Sequence, residues 1–145
     1  MPASIEDIQR LYLRAREHYL YKKYPEEEPI HKIEAFLLQT VVLEGILVNY
    51  GLLLLKSRSD LIALLGKRSG RYGYDNAIND LYLLGVISTA EFKKLDTLKN
   101  KRNDFIHNLL SRNLETASKD ASQYYRASSV LVSRLLQKLK KKLGP

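Results

Sequence analysis

Arg102, Asn103 and His107 sit close together in a stretch whose remaining residues have helical spacing. Taking about 100° per residue and setting Arg102 at zero, Leu95, Leu98, Ile106 and Leu109 all fall within about 40° of it. Arg102 therefore stands in the middle of an apolar stripe. A guanidinium among leucines cannot be left unpaired without several kcal/mol of desolvation cost, so it must meet a carboxylate, a cleft or a bound anion. On the same wheel Lys99 lies near about 60°, Asn103 near about 100° and His107 near about 140°, so a polar wedge runs along one edge of the stripe. A lone histidine near a helix end is often a packing residue; here its neighbours give it the character of a site.

Other chemically able residues carry weaker signals. Glu44 has two readings, a partner for Arg102 across the bundle or dimer cleft, or a carboxylate on a narrow wet face of its helix. His18 and His31 stand apart in the chain without metal-ligand spacing, and both read as surface or packing residues. The run Gly66-Lys67-Arg68-Ser69-Gly70-Arg71-Tyr72-Gly73-Tyr74 lacks the spacing and the preceding strand of a phosphate-binding loop. It is either a basic arm contacting phosphates or a solvated connection. The basic residues from Lys138 to Lys142 are accounted for by the helix dipole, and most of the 10 tyrosines are expected to pack rather than stack on bases.

The elements that must position these groups are helices. Ser4 with Asp7 reads as an N-cap, and Ile8, Leu11, Tyr12, Ala15 and Tyr19 continue a first helix over about residues 4–23. Pro25 and Pro29 bracket a short break. A second helix follows from about Ile30 to Lys56 with apolar residues on nearly every face. Residues 35–55 have the length of a membrane span, about 20 residues, but Glu44 at the middle, with Gln39 and Asn49 beside it, favours a buried bundle helix. A short helical piece is expected over Asp60–Leu65. Asp75 can cap a third helix that ends at Gly85, Ser88 with Glu91 forms a capping box for a fourth reaching about Ser111, and a last helix runs from about Leu114 to Leu143. No strand pattern competes, so residues 1–145 are expected to form a single all-α domain, a four- to five-helix up-and-down bundle.

Composition bounds the function. The chain has 24 Lys and Arg against 16 Asp and Glu, a formal net charge of +8, which favours polyanionic partners. It has no cysteine, so disulfides, thiolate zinc sites and cysteine nucleophiles are excluded and a reducing, cytoplasmic setting is expected. The residues after Met1 have neither the basic start nor the apolar run of a secretory signal.

The segment Lys101-Arg102-Asn103-Asp104-Phe105-Ile106-His107 resembles the signature of the HEPN family, an Arg, a polar residue, three variable positions and a His. The preceding Leu83-Leu84-Gly85-Val86-Ile87-Ser88, with its new helix start, also resembles family members. The likeness is carried mainly by residues 78–110. It implies an antiparallel helical bundle that pairs as a two-fold homodimer, bringing two Arg–His motifs into one basic cleft. It further implies a ribonuclease of toxin–antitoxin, abortive-infection or CRISPR type, in which the 2′-hydroxyl of RNA attacks the adjacent phosphate with no metal or other cofactor. In that chemistry His107 would act as general base or acid, Arg102 would hold the phosphate, and Asn103 would orient His107 or the phosphate.

Lys99, Lys101, Lys67, Arg68 and Arg71 are the expected RNA contacts. Relatives paired with a nucleotidyltransferase-like antitoxin often carry a modifiable Tyr two residues after the His; this chain has Leu109 there. The expectation is thus a cytoplasmic RNA-cleaving homodimer with a cognate antitoxin and no membrane partner. The alternative is a related dimer that binds RNA, a nucleotide or a partner protein without cleaving.

Overall fold

The computed structural model describes residues 4–61, 63, 66 and 72–144. Among them the chain is an all-α bundle of five helices, α1 (Ile5–Tyr19), α2 (Glu28–Ser57), α3 (Tyr74–Leu83), α4 (Thr89–His107) and α5 (Leu114–Leu143). Short 3-10 turns occupy Pro25–Glu27, Ser59–Leu61 and Leu109–Ser111. Of the helical piece expected over Asp60–Leu65, Asp60 and Leu61 fall in the second of these turns, and residues 62, 64 and 65 lie outside the described residues.

The apolar helix α2 is the centre. It packs against α1 on one side, α5 on another and α3 on a third, and it buries Phe36, Val42, Leu43, Ile46, Leu47 and Leu55. It is the one helix among the described residues that is long and apolar enough to cross a membrane. Two of its polar residues differ in environment. Buried Gln39 donates from Nε2 to Ser128 Oγ at 2.8 Å and to the Tyr125 carbonyl at 3.0 Å on α5, while the Glu44 side chain stays 45% exposed.

Local chemistry sets the helix ends. The Ser88–Glu91 capping box is complete, with Ser88 N–H donating to Glu91 Oε1 at 2.9 Å and Glu91 N–H to Ser88 Oγ at 3.2 Å. Gly85 adopts φ +78°, a left-handed turn that a side chain would strain. Pro29 falls in the first turn of α2, where its missing N–H costs nothing, so α2 begins at Glu28 rather than after the second proline.

Three further ends differ from expectation. The first helix stops at Tyr19 instead of near residue 23, its last turn closed by the Leu20 N–H on the Arg16 carbonyl at 3.0 Å. Asp75 does not cap α3; Gly73 holds that position, and Asp75 instead forms an ion pair with Lys99 of α4. The fourth helix ends at His107, not near Ser111, because Asn108 leaves helical geometry with its side chain donating to the Asp104 carbonyl at 2.9 Å.

Candidate functional site

The buried face of α4 is formed by Leu95, Leu98 and Phe105. Phe105 meets Phe36 of α2 edge-on with ring centroids 5.1 Å apart, and shares a cluster with Ala117 and Ala121 of α5. Phe105 lies about 60° to one side of Arg102 on the helical wheel, so this contact turns the helix relative to the expected stripe. Ile106, expected in the stripe, is 52% exposed. Arg102 accordingly lies nearer one margin of the buried face, between Leu95 and Leu98 on the wheel.

That margin gives the guanidinium an incomplete set of partners. Nη2 donates to Asn103 Oδ1 at 3.2 Å, and Nη1 lies 3.9 Å from Glu44 Oε2. Nε is buried and has no acceptor among the described residues. The side chain is 24% exposed, so it is recessed but reachable. The recess is lined by Thr40, Leu43, Tyr74, Leu98, Lys99 and Arg102 and has room for about one water, 10 Å³. Its floor includes Tyr74, whose hydroxyl donates to the Leu95 carbonyl at 2.6 Å. Burial pushes the Tyr74 phenol well above its ordinary value, and the nearby Arg102 charge opposes that shift only in part. A separate, wider groove of about 240 Å³ is lined by Val41, Glu44, Val48 and Tyr72.

His107 is the final residue of α4 and is exposed. It makes no hydrogen bond or ion pair with the described residues. Five residues of helix put it about 7.5 Å along the axis from Arg102 and about 140° around it, so within one chain the imidazole and the guanidinium do not meet. Asn103 lies between them in angle, its amide oxygen already engaged by Arg102.

The flanking cations separate. Lys99 faces the recess but is held by Asp75. Lys101 points to the other side of α4, with Nζ 5.8 Å from the centroid of the Tyr124 ring on α5. Lys67, Arg68 and Arg71 lie outside the described residues. Glu44, offered by the sequence as either a partner or a wet carboxylate, is both, approaching Arg102 while half-exposed.

No protein-family model, no curated protein and no solved structure matches this chain.

A second constellation joins α1 and α2. His18, near the end of α1, and His31, in the first turn of α2, are expected from the sequence to be surface or packing residues, yet their Nδ1 atoms are 2.7 Å apart. His18 Nε2 lies 3.2 Å from Glu34 Oε2, and Tyr21 stacks on His31 with centroids 3.6 Å apart. Tyr21 in turn donates to Glu27 Oε2 at 2.5 Å, which pushes its phenol up to about 12. The legible signal was His31 and Glu34 at i and i+3, which puts both on one helical face. The contact with His18 depends on how two helices pack, which spacing does not report.

Proposed function

We propose that this chain is a HEPN-like, metal-independent endoribonuclease, acting as a cytoplasmic homodimer and serving as the toxin of a toxin–antitoxin or related defence system. The observation that carries the reading is the Arg102 guanidinium: permanently charged, partly exposed and only loosely held by a carboxylate 3.9 Å away. A planar donor set with spare capacity at a shallow opening suits a phosphate oxygen, which accepts charge-assisted hydrogen bonds that Glu44 supplies only weakly. The net charge of +8 draws a polyanion toward it.

In this reading His107 removes the proton from a ribose 2′-hydroxyl, and the 2′-oxygen attacks the neighbouring phosphorus. Arg102 stabilises charge on the phosphoryl oxygens, and Asn103 keeps the guanidinium oriented. The 5′-oxygen departs with a proton drawn from water, leaving a 2′,3′-cyclic phosphate and a 5′-hydroxyl, and His107 returns its proton to the solvent. Because His107 is out of reach of Arg102 within one chain, the cleft requires a second copy. Ile106, 52% exposed, and Leu110, 97% exposed, give the end of α4 an apolar rim for that partner.

The test is incubation of single-stranded RNA with the purified chain in EDTA, followed by analysis of the new ends. Fragments ending in 2′,3′-cyclic phosphate support the reading. A second reading is favoured by one observation: nothing among the described residues holds His107 in a tautomer or an orientation, as a built general base requires. It makes the chain a non-catalytic RNA-binding dimer, and salt-sensitive RNA affinity with no fragments after long incubation selects it.

A further inference from the structure

We propose that His18, His31 and Glu34 form a binding site for a divalent transition-metal ion of the zinc class, a clip between the end of α1 and the start of α2. This site is distinct from Arg102 and His107 and does not rest on the ribonuclease reading. One candidate ligand atom from each of the three residues lies within 4.8 Å of the other two. Two imidazole nitrogens and one carboxylate oxygen are a donor set that suits zinc and its first-row neighbours, and disfavours magnesium and calcium, which take oxygen.

The spacing is close to what an ion needs. Ligand atoms about 2.0 to 2.1 Å from a tetrahedral centre stand about 3.3 Å from each other. His18 Nε2 and Glu34 Oε2 already form such an edge at 3.2 Å. His31 now faces the other ring nitrogen of His18, Nδ1, so it must turn to bring one of its own nitrogens to the edge formed by His18 Nε2 and Glu34, its ring centroid 4.9 Å from that of His18. Without an ion the two facing Nδ1 atoms, 2.7 Å apart, need a hydrogen between them, one donating and one accepting. Tyr21 backs the His31 ring and is itself tied to Glu27, so the connection between α1 and α2 shapes one wall of the cluster.

The cluster is accessible. His18 is 16% and Glu34 46% exposed, so an ion can enter without opening the core, and three protein ligands leave a fourth position for water. Because two of the ligands sit on α2 and one on α1, a bound ion adds a cross-link to two helices that already pack together.

The experiment uses the tag-free full chain stripped of metal, titrated with Zn(II) by calorimetry and with Co(II) by its visible ligand-field absorption. One ion per chain is expected, with the melting temperature raised by about 5 °C at saturating Zn(II) and unchanged by Mg(II). His18→Ala and His31→Ala should each weaken binding about 100-fold, and Glu34→Gln at least about 10-fold, while His107→Ala binds as the parent does. Helical circular dichroism checks that the variants remain folded. Absence of saturable uptake by the parent chain overturns the proposal whatever the variants do; so does parent-like uptake by the His18→Ala, His31→Ala double variant.

Discussion

The Arg102 guanidinium stands 3.9 Å from the Glu44 carboxylate, at the outer limit of an ion pair, with both side chains open to water at 24% and 45% exposure. A pair so long and so solvated contributes little to stability, about 1 kcal/mol or less. It keeps an arginine at hand without saturating it.

Glu44→Gln should therefore change the melting temperature by less than about 4 °C. It should also tighten RNA binding at low salt, because a negative charge that competes with phosphate for Arg102 is gone. Fluorescence anisotropy with a labelled single-stranded RNA reads the change; weaker binding in the variant would show that Glu44 positions the guanidinium and does not compete for it.

Phe105 and Ile106 are neighbours with opposite fates. Phe105 is 1% exposed and wedged against Phe36, so Phe105→Ala should cost about 3 to 5 kcal/mol in urea unfolding. Ile106, at 52% exposure, should tolerate alanine within about 0.5 kcal/mol in the monomer. Equal losses at the two positions would mean that α4 is rotated toward the stripe read from the sequence.

That rotation marks where sequence ends as a guide. The capping box at Ser88 and Glu91, the left-handed Gly85 and the span of α5 all depend on neighbours in the chain, and they were readable from it. So was the oddity of Arg102 among leucines. A wheel gives relative angles only, and the absolute rotation of α4 is set by Phe105 finding Phe36 and the small Ala117 and Ala121, contacts remote in sequence. The same limit hid the capture of Lys99 by Asp75 and the meeting of His18 with His31, since each joins residues on different helices.

Tyr74 gives the fold a dependence on high pH. Burial raises its phenol above the ordinary 10.0. The folded chain thus holds the neutral phenol more firmly than the unfolded chain, and that stability is complete below pH 10 and lost as pH climbs through the folded value. Tyr74→Phe should lose about 1 kcal/mol at neutral pH with its hydrogen bond to Leu95, and lose less than the parent between neutrality and high pH. Tyr50 and Tyr125, raised by burial too, leave some slope in the variant. Parallel stability curves for parent and variant above pH 10 would contradict this assignment.

The central claim joins Arg102 and His107 in one reaction. Its most direct measurement is the initial rate of RNA cleavage in EDTA by the parent, Arg102→Ala and His107→Ala, each first shown to keep its helical circular dichroism. The account predicts metal-free cleavage by the parent and a loss of about 100-fold or more in each variant. Cleavage at the parental rate by both variants would contradict it.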